Sequence, residues 1–108
     1  MKIEKWNIEE ETGYKPITTF WEDFTIADKF GINAVADTYY RAFNEWKNDY
    51  KYMTELSLVL NHKIWRYYEN EHTRALAQTY DSLWKQLDTY LNDNLKEDEL
   101  DYYYRITD

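Results

Sequence analysis

Cysteine is absent from the 108-residue chain, which excludes disulfides, a thiolate nucleophile and cysteine-ligated zinc and makes the cytoplasm the expected location. Glycine and proline are scarce. Gly13, Pro16 and Gly31 all precede Ile32, so the rest of the chain carries none of the usual breakers and should be helical. Basic charge is outnumbered: 13 Lys and Arg face 21 Asp and Glu, for a net charge of −8. That balance argues against direct nucleic-acid or phosphate binding, which needs a basic footprint, and any charged partner should present a basic surface. Long apolar runs are missing too, and nothing approaches the roughly 20 residues of a membrane span. The N-terminus MKIEKWNIEEE places acids where a signal peptide needs an apolar core, so neither membrane insertion nor export by that route is expected.

Catalytic motifs are equally thin. Ser57 and Ser82 are the serines, and neither lies in a G-x-S-x-G context; the chain has no Gly-rich phosphate loop and no H-E-x-x-H. Glu69 and His72 have the E-x-x-H spacing of di-iron bundles. Such a centre needs two of these pairs and two more inward carboxylates, so this one reads as a surface ion pair or cap. His62, near Arg66 and Glu69, reads as structural. Neither metal nor cofactor is expected, and the chain does not read as an enzyme.

What is abundant is apolar periodicity. Met53, Leu56, Leu60, Ile64 and Tyr67 step by three or four residues along one helical stripe, and Leu58, Val59, Trp65 and Tyr68 widen it. The stretch from Asn48 to Glu71 is therefore the expected central helix, packed against more than one neighbour. Ser57 lies off this stripe, where its hydroxyl should matter little. Before it, Thr19 and Glu22 have the spacing of a capping box, with Phe20, Phe24, Ala27 and Phe30 on the helix that follows and Gly31 placed to end it in the left-handed conformation. Asn33 is placed to cap a next helix carrying Val35, Tyr39, Ala42 or Phe43, and Trp46; Asn48 and Asp49 mark a break, the alternative being one bent helix from Ala34 past Tyr67. After punctuation at 70–73, Leu76, Tyr80, Leu83, Leu87 and Tyr90 form an a/d seam suited to an antiparallel partner within the chain, or to a homodimer. Residues 1–17, with Ile3, Trp6 and Ile8 among charges, read as an extended arm or one short strand, anchored by Trp6. The expected fold is all-α: a single domain over 1–108, a compact bundle of four to five helices with an N-terminal arm.

Two features point to partners. Residues 88–108 hold seven acids against Lys96 and Arg105, which places −5 of the −8 at one end. Twelve Tyr, five Trp and four Phe make up 19% of the chain, and runs such as Tyr102 to Tyr104 turn about 100° per residue on a helix, so they cannot all face one core. Tyr and Trp exposed beside acids suit a protein interface. The expected interaction surface is Asp93, Glu97, Asp98, Glu99, Asp101, Tyr102, Tyr103 and Tyr104, within an acidic, tyrosine-rich segment at 96–108.

The string RAFNEWK from Arg41 to Lys47, followed by YKYMTEL and LNHKIW, resembles small acidic accessory proteins of phages and integrative elements of Gram-positive bacteria. The resemblance extends over residues 14–108 and carries no catalytic residues onto the chain. It implies a bacterial host cell and a protein that binds host proteins, including restriction and CRISPR nucleases. Joined to the acidic end, it makes the expected function that of a non-enzymatic protein-binding module, in its sharpest form an inhibitor occupying the basic nucleic-acid channel of a defence nuclease. The alternative is a homodimeric structural adaptor.

Overall fold

The computed structural model describes residues 6–107, which form six α-helices: α1 (Ile8–Thr12), α2 (Phe20–Phe30), α3 (Ile32–Trp46), α4 (Tyr50–Tyr68), α5 (Arg74–Asn94) and α6 (Glu97–Thr107), with a single 3-10 turn at Glu71–Thr73. The chain is all-α, as its periodicity predicts, with one helix more than the upper expected count. The extra one is α1. Its sequence signal is Asn7, whose side-chain oxygen accepts from the Glu10 amide at 3.1 Å, and Gly13, which closes the turn at φ 76° and donates to the Glu9 carbonyl. Residues 8–12 are thus helical, correcting the expected extended arm or strand; Ile3 lies outside the described residues.

α4 is the central rod. Met53, Leu56 and Leu60 are fully buried and Ile64 nearly so, yet so are Thr54, Glu55, Ser57 and Lys63, because neighbours surround the helix over 53–60; near its end Trp65 and Tyr68, expected to widen the packed surface, are instead exposed. It begins where Asp49 accepts from the Lys51 amide at 3.1 Å, so α3 and α4 are separate helices rather than one bent one. α5 runs back along α4, with Tyr80, Leu83 and Leu87 buried between them, and α6 covers the other side of α4 with Tyr103. The a/d seam is consumed inside the chain. α2 and α3 fold over this pair as a helical hairpin hinged at Gly31.

Three local expectations are corrected. Thr19 is the residue before α2 but caps nothing with its side chain; its hydroxyl donates to Asp23 Oδ2 at 3.1 Å, and Thr18 Oγ1 instead accepts from the Phe20 amide. Gly31 has φ 108° and ψ −174°, positive φ with extended ψ rather than the left-handed helical conformation, which turns the chain directly into α3 with no room for Asn33 as a cap. Phe30, at the end of α2, points outward and is 78% exposed, whereas Phe20 and Phe24 are in the core.

Candidate protein-interaction site

Several ionisable groups lie inside the bundle. Lys63 Nζ, with a fully buried side chain, donates to Asp28 Oδ2 at 2.7 Å and to Thr25 Oγ1 at 3.0 Å, and lies 4.1 Å from the centre of the Trp21 ring. Tyr67 donates to Asp28 Oδ2 at 2.6 Å and Tyr80 to Oδ1, so one carboxylate ties α2, α4 and α5 together. Glu55 accepts from the amides of Ile17 at 2.7 Å and Thr18 at 3.0 Å and from the Thr18 hydroxyl, pinning the segment between α1 and α2 to the rod. Each of these buried charges is met by hydrogen-bonding partners, which is what buried charge requires. His62 stacks on Trp6 with centroids 3.9 Å apart and meets the edge of Trp21, so Trp6 does anchor the N-terminal segment. Nothing in the sequence periodicity distinguished Lys63 and Glu55 from surface charges; their position on the most apolar helix was the available signal.

A second polar cluster joins α4, α5 and α6. Ser57 Oγ accepts from Trp84 Nε1 at 2.9 Å and lies 3.0 Å from the Tyr103 hydroxyl, which donates to Asp88 Oδ1 at 2.9 Å. Burial and, less strongly, the neighbouring Asp88 carboxylate hold the Tyr103 phenol well above its usual range, although Ser57 pulls the other way. These side chains line a recess of about 230 Å³. Ser57 is thereby a buried hydrogen-bonding residue, against the expectation that its hydroxyl is dispensable.

The expected interaction residues divide into two groups. Asp93, Glu97, Asp98 and Asp101 are exposed at the end of α5 and along α6, with no ion-pair partner among the described residues. Tyr104 is exposed and donates to Asn92 Oδ1, and Tyr102 is half-buried against Tyr50, with the Arg105 guanidinium 5.7 Å from its ring. Glu99 and Tyr103 leave the surface set. Glu99 Oε1 accepts from the Lys96 amide at 2.9 Å, the reciprocal half of a capping box that starts α6, and Tyr103 is buried in the hydroxyl cluster just described.

Glu69 and His72 are both exposed, and no group of three or more potential ligands is gathered among the described residues. No described helix is long and apolar enough to cross a membrane. A wider feature is formed elsewhere: α2 and α3, with the approach at 17–20 and Tyr52 of α4, enclose a groove of about 780 Å³. No sequence motif marks this groove, since its walls come from residues of α2 and α3 that only the fold brings together.

Comparison of the chain with protein-family models, curated proteins and solved structures returns no match.

Proposed function

We propose that this protein is a non-enzymatic binding module of a mobile element, and that its acidic end docks on a Lys- and Arg-lined surface of a host protein. The observation that carries the reading is the set of four exposed carboxylates, Asp93, Glu97, Asp98 and Asp101, which have no ion-pair partner within the described chain and stand beside the exposed Tyr104. Like charges so placed repel one another, and a basic partner relieves that repulsion while steering the encounter. Tyr104 and the half-buried Tyr102 add the apolar contact that charge alone would not make specific. Duplex DNA carries one negative charge per roughly 1.7 Å of axis, and a nuclease channel built for that density would accept a compact row of carboxylates in its place. Inhibition of a restriction or CRISPR nuclease of a Gram-positive host is the sharpest form of this proposal, and it draws its setting from the sequence resemblance.

The test is a fourfold neutralisation: Asp93→Asn, Glu97→Gln, Asp98→Asn and Asp101→Asn. Glu99 is kept because it caps α6. Cleavage by a panel of such nucleases should be inhibited by the native protein, less so as salt is raised, and should proceed uninhibited with the variant. Circular dichroism should show the helices retained, since Glu97 and Asp98 each contribute only about 0.3–1 kcal/mol at the start of α6. Full inhibition by the neutralised protein would refute the acidic end as the docking surface.

A further inference from the structure

We propose that the groove between α2 and α3 receives a basic, amphipathic helix of a partner protein. The groove is a surface distinct from the acidic end, so the inference stands whether or not that end docks on a nuclease. Its apolar wall is Ile17, Ile26 and Phe30, which are 52%, 51% and 78% exposed. Single exposed apolar residues are ordinary on a protein surface. Three gathered on one concavity of about 780 Å³ are a different matter, because a concave apolar wall is the feature that buries an inserted side chain from all sides. Ile32, one residue past the hinge, is exposed as well.

Charge identifies the occupant. Asp23 stands on the α2 side and Asp37 and Glu45 on the α3 side, against a single cation, Arg41, whose guanidinium is 3.3 Å from Asp37. Three acids and one arginine leave a rim of −2. Such a rim repels phosphates of nucleic acid and anionic lipid headgroups alike, whereas lysines or arginines flanking an apolar ridge would meet it on both sides. The walls decide the occupant's conformation. They are mainly helices, whose backbone groups are bonded internally, and the amides of the approach at Ile17 and Thr18 are taken by Glu55, so no strand edge is offered to an extended peptide and side chains favour a helix in the groove. α2 has 11 residues, which at 1.5 Å per residue gives a wall about 16 Å long. A partner segment of three helical turns, about 11 residues, with apolar anchors at i, i+3 or i+4, and i+7, fills that length.

The full-length chain, labelled with nitrogen-15, would be titrated with a helix-forming peptide of Leu and Lys about three to four turns long, and with a control carrying Glu in place of Lys. The Leu/Lys peptide should shift amides of α2 and α3, and Ile26→Ala with Phe30→Ala should weaken its binding roughly thirtyfold, as truncated hot-spot anchors do. Both residues are exposed, so the fold survives their truncation. Asp23→Asn with Glu45→Gln should weaken binding at low salt and make it less salt-dependent. The fourfold-neutralised acidic-end variant should bind the peptide as the native protein does, which separates this proposal from the preceding one. Equal binding of the Glu peptide, shifts centred on α5 and α6 with the groove unmoved, or no shifts at millimolar peptide would each overturn it.

Discussion

Replacing Asp28 by Ala should destabilise the protein more than replacing its partner Lys63 by Met, and the two changes should be strongly coupled. Breaking a buried ion pair from one side leaves the other charge uncompensated, typically at 3–5 kcal/mol. The two sides differ here. Without Lys63, Asp28 keeps the hydroxyls of Tyr67 and Tyr80, so Lys63→Met belongs near the lower figure, about 3 kcal/mol. Without Asp28, Lys63 loses its carboxylate while keeping Thr25 Oγ1 and the Trp21 ring among its contacts, and the Tyr67 and Tyr80 hydroxyls lose their bonds to that carboxylate, each worth about 1 kcal/mol. Asp28→Ala therefore belongs near about 5 kcal/mol, comparable with the whole stability of a small domain. Removing both charges, as Asp28→Ala with Lys63→Met, leaves no orphan charge and should destabilise by at least about 2 kcal/mol less than the sum of the single changes. Guanidinium titration followed by tryptophan fluorescence measures all of these. A cost below about 1 kcal/mol for Asp28→Ala, or strict additivity in the double variant, would refute the reasoning.

Glu55→Gln, which puts an amide where a carboxylate accepts from two backbone N–H groups, should cost about 1.5–3 kcal/mol; hydrogen exchange should quicken at the amides of Ile17 and Thr18, and unchanged exchange there would remove Glu55 as the pin. Leu60→Ala, at a fully buried site, should cost about 2–5 kcal/mol, and Ser57→Ala about 1–3 kcal/mol because it strands Trp84 Nε1 and loosens Tyr103; a silent Ser57→Ala in denaturant titration would mean the hydroxyl cluster is unimportant. Burial raises the phenols of Tyr14, Tyr39 and Tyr103 above the ordinary tyrosine value of about 10, with Glu55 adding to the effect at Tyr14 and Tyr40 at Tyr39. A raised folded pKa favours the protonated native form, so this stability is fully present below about pH 10 and is lost above it, by at most about 1.4 kcal/mol per pH unit for each tyrosine. Melting temperature should be insensitive to these groups up to about pH 9 and fall steeply beyond about pH 10; no fall by pH 11 would count against their burial.

The regular elements were legible where one physical signal dominated. The stripe from Met53 to Tyr67 needs only helical geometry and apolar side chains, and the break before α4 follows from the capping chemistry of Asp49. Local signals misled where two residues could serve the same purpose. Thr18 rather than Thr19 meets the Phe20 amide, and Glu99 is drawn into capping although its neighbours Glu97 and Asp98 are free, a choice set by which side chain the backbone path brings within reach. At α1 the signal is present, an Asn7 with Glu10 three residues on and Gly13 after it, but the alternation of Ile3, Trp6 and Ile8 with charges competes with it.

The amino-acid sequence by itself determined an all-helical chain with its central rod, its helix boundaries near 48 and 70, and an excess of acid at one end, because period, breakers and charge are local properties. Only the tertiary structure decided which side chains of one type lie inside. Tyr103 is buried and Tyr104 exposed, Lys63 is wholly enclosed while Lys85 pairs with Asp81 at the surface, and Phe24 is core where Phe30 is groove wall. Those distinctions depend on which neighbours α4 collects and on the angle the chain takes at Gly31, and both are set by packing among residues far apart in sequence.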